Sequence, residues 1–190
     1  MLRFAVLLLT IFSMANLSAQ ESDIPYHTIP DYPEEYTAGT VAARVVDGLG
    51  FRFYWATEGL RPEDLQFSPS EESRSVQLTI DHIYGMTLML SSVVNQSPRE
   101  MEEKLSFEAK RVKVLRTLFE ISNALKEMKA EDLENLVLKR GDQEIPFWNM
   151  INGPIADCLW HCGQIVSYRR LSGNPFNSNV SLFNGKVIEE

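Results

Sequence analysis

The residues best suited to chemistry are an aspartate and a histidine one helical turn apart in sequence, Asp157 and His161. They lie in residues 153–175, whose sequence GPIADCLWHCGQIVSYRRLSGNP predicts a helix with Pro154 in its first turn. On a helix this spacing places both side chains on one face, and Gln164 continues that face. A carboxylate and an imidazole at the edge of a buried face need a partner, because an unpaired polar group is costly away from water.

A third candidate ligand, His82, lies within an apolar face of another predicted helix, over residues 70–95. If the two helices face each other, His82 converges with Asp157 and His161. Two imidazoles and a carboxylate that leave coordination positions open suit Zn²⁺, Ni²⁺, Fe²⁺ or Mn²⁺. The alternative for His82 alone is a half-buried imidazole that bonds to a backbone carbonyl.

A divalent metal held by these residues would lower the pKa of a bound water or a substrate thiol and so supply a nucleophile near neutral pH. Gln164 is the predicted catalytic residue, because its amide could orient a ligand or donate to a developing charge. Its alternative role is a solvated or helix-bridging amide. Arg169 and Arg170 could bind an anionic substrate, or they could cap the end of the helix. Signatures of other enzyme classes, such as the G-x-S-x-G elbow and the P-loop, are absent from the sequence.

Hydrophobic periodicity predicts the elements that must position these residues. Four long helices with short links indicate an all-α fold, a four-helix bundle. A small hairpin or an extended excursion around Gly141-Asp142, in residues 131–146, is predicted before the last helix. The third helix is expected to be preceded by a helical start at Ser97-Pro98. The four helices are predicted over residues 37–60, 70–95, 105–128 and 153–175.

The sequence also predicts the burial of the tryptophans and the exposure of the basic residues of the third helix. The tryptophans Trp55, Trp148 and Trp160 are expected in the core or in a pocket wall. The basic residues of the third helix are expected to form a solvated face: Lys104, Lys110, Arg111, Lys113, Arg116 and Lys126.

The two ends of the chain are predicted to lie outside the bundle, which spans residues 37–175. Residues 1–19 combine Arg3, a short apolar run and small residues before Gln20, which predicts a signal peptide and export to the periplasm or the medium. Residues 20–36 are rich in proline and predict an extended arm. Residues 176–190 are expected to form a tail that covers the surface.

Composition narrows the range of partners. The net charge of −8 argues against nucleic acid and anionic membrane surfaces. No second apolar run follows that could span a bilayer, so stable membrane insertion is not expected. A small-molecule substrate or ligand is the expected partner. The wide apolar faces of the first and third helices also leave room for a homodimer.

The two cysteines, Cys158 and Cys162, are expected to be free thiols. Their helical spacing separates the Cβ atoms by about 5–6 Å, which exceeds the separation of about 3.5–4.5 Å in a disulfide. Both fall on the apolar face of the last helix, so they are predicted to pack as small hydrophobic side chains. The alternative is a role as soft metal ligands.

The chain resembles the exported members of the DinB/YfiT-like superfamily. The resemblance is carried by His82 in IDHIYGM and by His161 in the run H-x-G-Q-I, followed by R-R and G-N-P. That family has four-helix bundles of the up-down-down-up type, with a histidine on the second helix and an H-x-x-x-H pair on the last. Here Asp157 replaces the first histidine of the pair.

The resemblance implies a divalent metal bound by His82, Asp157 and His161, and in some relatives thiol-dependent transferase, isomerase or amidase chemistry. The first functional hypothesis is therefore an exported metal-dependent hydrolase or thiol transferase that activates water or a thiol. The alternative is a non-catalytic or degenerate bundle that acts as a small-ligand-binding or structural protein.

Overall fold

Helices make up most of the chain in the computed structural model, which describes residues 24–102 and 104–188. The predicted signal peptide lies outside these residues. Two small antiparallel hairpins accompany the helices. The elements in chain order are α1 (Ala38–Thr57), α2 (Pro62–Gln66), α3 (Val76–Val94), α4 (Phe107–Lys126), α5 (Ala130–Glu134), β1 (Val137–Arg140), β2 (Gln143–Pro146), α6 (Phe147–Met150), a π-helical turn (Ile151–Ile155), α7 (Ala156–Leu171), β3 (Val180–Ser181) and β4 (Lys186–Val187).

Hydroxyl side chains set the beginnings of the three long helices α1, α3 and α4. Thr37 and Thr40 cap α1 reciprocally, and Ser75 and Ser106 accept backbone N–H groups of α3 and α4. These caps satisfy amide groups that have no partner inside the helix. They also correct two predicted boundaries: residues 70–75 precede α3, and the helical start predicted at Ser97-Pro98 is wrong.

Side-chain contacts between helix ends define how the long helices run. Arg111, near the start of α4, bonds to Thr57 at the end of α1, so α1 and α4 are antiparallel. Arg169, near the end of α7, donates to the carbonyl oxygens of Trp55 and Ala56, so α7 runs parallel to α1.

The ends of α3 and α7 meet in the opposite sense. The Phe67 ring, which precedes α3, lies 6.3 Å from the ring of Tyr168 near the end of α7. These two helices are therefore antiparallel, and the second turn of α3 faces the first turns of α7. The largest side chains buried between the four long helices include Leu49, Phe51, Phe53, Ile80, Ile83, Tyr84, Leu90, Leu115, Leu118, Ile121 and Leu125.

The helical segment that contains α7 begins earlier than predicted. Helical backbone starts at Phe147, and Pro154 lies inside the π-helical turn rather than in a first turn. Proline has no N–H to donate, and a widened turn accommodates the missing bond within a helix. The hairpin predicted before this segment is confirmed: Arg140 pairs with Gln143 around a turn in which Gly141 has a φ of 60°.

Two basic side chains of α4 that were predicted to lie on a solvated face are buried. Lys110 forms an ion pair with Asp81 of α3, and Arg111 pairs with Glu58 after α1. The Arg111 guanidinium also lies 4.5 Å from the centroid of the Tyr54 ring. These long side chains cover apolar surface while their charges find partners, so they tie α4 to both neighbouring helices.

The N-terminal arm and the C-terminal tail lie against each other. Ile29 of the arm donates its backbone N–H to the carbonyl of Gly185, in the turn between β3 and β4. Tyr26 is 3% exposed and donates its hydroxyl to Asp47 of α1 at 3.0 Å. The arm is therefore anchored in the core through Tyr26, which its proline content did not indicate.

A buried carboxylate joins α2 to the end of α7. The Asp64 side chain is fully buried and accepts hydrogen bonds from Arg61, Ser172 and Asn174. These donors, led by Arg61, hold the pKa of Asp64 well below its usual range despite its burial. The network fixes the C-terminal end of the helix that carries Asp157 and His161.

Replacing Gly39 by alanine is expected to destabilise the fold by about 1–3 kcal/mol, because of overpacking. A Cβ atom at Gly39 would overlap the carbonyl oxygens of Leu125 and Met128. Gly163→Ala is the matched control, since nothing lies within 4 Å of its added Cβ. Urea denaturation should show a loss for Gly39→Ala and a gain of about 0.5–1 kcal/mol for the control. Equal midpoints for the two variants would contradict this packing.

The Asp64 network predicts a pH-dependent stability difference. The folded-state pKa lies below the unfolded value, so the carboxylate stabilises the protein above the unfolded pKa of about 3.9 and loses this effect as pH falls below it. In urea titrations, Asp64→Asn should be less stable than the wild type at pH 7. The difference in stability between the two proteins should narrow as the pH falls below about 3.9. Asp142→Asn is the matched control, because it removes a carboxylate at an exposed turn outside the network. A difference that is constant with pH would exclude the network as its cause.

Candidate metal centre

The antiparallel contact between α3 and α7 brings together the three side chains predicted to bind a metal. His82 lies in the second turn of α3, while Asp157 and His161 lie one turn apart at the start of α7. One oxygen or nitrogen atom from each residue lies within 4.8 Å of those of the other two. The predicted convergence of these side chains is therefore present in the structure.

Asp157 is at the centre of the cluster. Its Oδ2 atom lies 2.7 Å from Nε2 of His82 and 3.4 Å from Nε2 of His161. The two imidazole rings are 4.8 Å apart between centroids and nearly perpendicular, at 84°. The partner of His82 is thus a carboxylate, and the alternative of a backbone carbonyl partner is wrong.

The cluster is half-open to solvent. The side-chain exposure is 41% for Asp157, 25% for His82 and 12% for His161. Water or a small molecule can therefore reach the carboxylate side, while the imidazole of His161 is packed between the helices. The side-chain contacts described for Asp157 are with these imidazoles rather than with a lysine or an arginine.

Gln164 lies behind His161. Nδ1 of His161 and Oε1 of Gln164 are 2.7 Å apart. An amide oxygen only accepts, so Nδ1 carries the proton, and Nε2 of a neutral imidazole keeps its lone pair towards Asp157. Gln164 therefore acts on His161 as a positioning residue. Its predicted contact with a substrate stays a prediction.

The other candidates on α7 lie apart from the cluster. Cys158 and Cys162 are free and buried, as predicted, and burial raises the pKa of the Cys162 thiol to about 12. Within residues 24–102 and 104–188, the group of side chains placed to hold a metal together is His82, Asp157 and His161, and neither thiol belongs to it. Arg169 is 4% exposed and donates to the last carbonyl groups of α1, whereas the capping alternative placed it at the end of its own helix, so it is not available to a substrate. Trp160 is 73% exposed, and its expected place in the core or a pocket wall is wrong.

The sequence did not predict an apolar cavity that the structure contains. It lies between α1, α5, α6 and the π-helical turn, with Trp148 in its wall, and it includes none of the cluster residues. The signal was present in Val41 and Val45, which belong to the wide apolar face of the first helix and are 53% and 39% exposed. The hydrogen bond between His161 and Gln164 was also open to prediction, because their spacing places them on one helix face.

The donor set consists of two imidazole nitrogens and one carboxylate oxygen. Such a set fits divalent transition metals and leaves coordination positions for water or a ligand. Without a metal, the same atoms form a hydrogen-bonded cluster in which Asp157 accepts from His82. Metal coordination and the metal-free hydrogen bonds therefore involve the same three side chains.

Comparison with known proteins did not identify a relative: no family model, no curated protein and no solved structure matches the chain. Within residues 24–102 and 104–188, no helix combines the length and the apolar character needed to cross a bilayer.

The hydrogen bonds of the cluster predict the tautomers of its imidazoles. At neutral pH and without added metal, ¹H–¹⁵N NMR spectra should show His161 protonated at Nδ1 and His82 protonated at Nε2. Gln164→Leu should remove the preference of His161 for Nδ1 and leave His82 unchanged. A wild-type His161 protonated at Nε2 alone would contradict the assigned role of Gln164.

Proposed function

We propose that this protein binds one divalent metal ion through His82, Asp157 and His161. The observation that supports it is the meeting of three ligand atoms within 4.8 Å of one another, from residues distant in sequence. Zn²⁺, Ni²⁺, Fe²⁺ and Mn²⁺ are the ions that suit this donor set.

The surroundings of the ligands support this proposal. The Gln164 bond fixes the orientation of the His161 ring, as outer groups commonly do for metal-binding histidines. Asp157 supplies the charge that a cation would neutralise, and its exposure leaves an entry route for the ion. Among the three ligand positions, the chain departs from the resembled family at Asp157, where a carboxylate is a harder donor than an imidazole.

The proposed activity is that of a metal-dependent hydrolase or thiol transferase. A metal held here would supply a nucleophile by lowering the pKa of a bound water or a substrate thiol. In this proposal His82 and His161 orient the ion, Asp157 balances its charge, and Gln164 holds His161 in the required tautomer. The substrate is a small molecule that approaches from the exposed side of Asp157.

The proposal also includes the family, the four-helix bundle and the export of the protein. The directions of the long helices, with α1 and α7 parallel and both antiparallel to a neighbour, support a four-helix bundle of the up-down-down-up type. That arrangement is the one that the DinB/YfiT-like resemblance implies. Residues 1–19 support export to the periplasm or the medium.

A second candidate function is a non-catalytic one. It is favoured by the 2.7 Å bond between His82 and Asp157, which satisfies both side chains without a metal. In that case the cluster joins α3 to α7 and the protein is structural or binds a ligand elsewhere.

Calorimetric titration of Zn²⁺ into chelator-treated protein tests the first proposal. We expect one site per chain, with His82→Ala and Asp157→Ala each weakening it by more than about tenfold, because each removes a direct ligand. His27→Ala is the matched control, since this exposed histidine lies outside the cluster. Asp157→His should strengthen Zn²⁺ binding, because an imidazole is a softer donor.

The same variants distinguish the two functions. Absence of stoichiometric Zn²⁺ binding in the wild type, with Asp157→Ala lowering the melting temperature, would exclude the metal site and support the structural role. If Zn²⁺ binds, a concentration of about 100 times the dissociation constant should stabilise the wild type by about 2.7 kcal/mol. Loss of that stabilisation in His27→Ala, but not in His82→Ala, would place the ion elsewhere.

A further inference from the structure

A cavity of about 670 Å³ opens on the side of the protein formed by the first half of α1, by α5 and by α6. Its volume lies within the range of about 300–1,000 Å³ that is typical of small-molecule sites. Its walls are mainly apolar and include Val41, Val45, Leu133, Phe147 and Ile151. The cavity is thus large enough for a ligand of substantial apolar volume.

Large apolar side chains are exposed where the cavity opens. Val41 is 53% exposed, Val45 is 39% exposed and the Trp148 indole is 75% exposed. Tyr36 adds a second aromatic ring at the same opening, with 98% exposure. Contiguous exposed apolar groups of this kind mark binding surfaces, because an isolated soluble domain gains nothing by exposing them.

One carboxylate lies in the cavity wall, and four more lie next to lining residues along the chain. Glu134 is in the cavity wall, Glu34 and Glu35 directly precede Tyr36, and Glu131 and Asp132 lie on α5. All five are exposed. Lys129 is the one basic residue in these two segments, residues 34–37 and 129–134. These carboxylates define a rim of net negative charge, with Glu134 as the charged residue of the wall itself.

We propose that this cavity binds a small amphiphilic cation, a molecule with an apolar body and an amine or quaternary ammonium head. The apolar body fills the space between α1 and α6. The head remains at the rim, near Glu134 and the faces of the Tyr36 and Trp148 rings, which attract cations through their π-electrons. This site is separate from the candidate metal centre and does not depend on the proposed function.

Charge favours this occupant over a second copy of the chain. A symmetric dimer through this surface would place the acidic rims of both copies close together, and like charges across an interface disfavour association. A cation with an apolar body instead removes the exposed apolar surface from water and offsets the rim charge. An anionic amphiphile would meet the same repulsion as a second copy.

Calorimetric titration of the full chain tests the proposal with three ten-carbon probes below their micelle concentrations. The probes are decyltrimethylammonium, the neutral decanol and the anionic decanoate. We expect decyltrimethylammonium to bind with one site per chain and at least about tenfold more tightly than decanoate. Added salt should reduce this difference, because exposed charges are screened.

Two pairs of variants locate the binding. Val41→Gln should weaken decyltrimethylammonium by about tenfold, because it places an amide in the apolar wall. Leu78→Gln is its matched control, at 56% exposure on α3. Glu134→Gln should weaken the cation by about two- to fivefold and leave decanol unchanged, as expected for one exposed charge. Glu120→Gln, exposed on α4, and His161→Ala, in the candidate metal centre, should both bind as the wild type does.

Each contrary outcome overturns the proposal. Equal binding of decanoate and decyltrimethylammonium would show that the rim does not select charge. No binding of the cation, or equal binding by Val41→Gln, would exclude the cavity as its site. A dimer in sedimentation velocity experiments that Val41→Gln dissociates, and that excludes the cation, would assign the surface to a second copy.

Discussion

The antiparallel contact between α3 and α7 is the constraint on which the candidate metal centre depends. His82 meets Asp157 only if both helices hold their rotation and their axial position. At the C-terminal end of α7, buried Arg169 bonds to the last carbonyl groups of α1, and Asp64 holds the residues that follow. At its other end, α7 continues from the π-helical turn and α6. The polar cluster thus lies on a helix that is fixed at both ends.

Buried charge contributes to this architecture in a consistent way. Lys110, Arg111 and Arg169 each extend from one helix to a group on another. A buried cation without a partner is costly, so each of these contacts excludes arrangements in which the helices slide or rotate. The negative net charge remains at the surface, where the rim of the apolar cavity carries a concentrated part of it.

Local spacing predicted much of the site. Asp157, His161 and Gln164 share a face because helix geometry dictates it, and the free state of Cys158 and Cys162 follows from the same geometry. The proximity of His82 to these residues depends on which helices pack against each other, and local sequence patterns do not encode helix pairing. The family resemblance and the signal peptide stay predictions, because no comparison supports the first and the second lies outside the described residues.

The failures of prediction also have physical causes. Lys110 and Arg111 look like surface residues in sequence, since burial of a cation depends on partners from other helices. Val41 and Val45 continue the apolar stripe of α1, but whether a stripe is covered depends on what packs there. Tyr26 is preceded by proline in a polar arm, and its insertion depends on the room left by Gly50 on α1. Pairwise tertiary contacts, rather than composition, decide these cases.

The π-helical turn gives one continuous helical segment two different orientations. A π turn accommodates an additional residue, and one residue corresponds to a rotation of about 100° in an α-helix. Side chains before the turn, such as Phe147 and Trp148, face the apolar cavity, whereas those after it face α3. Shortening the turn by one residue would rotate the side chains before the turn relative to those after it. The segment could then no longer line the cavity and also present Asp157 and His161 to His82. The spatial separation of two chemically unlike surfaces therefore depends on a local change of helical pitch.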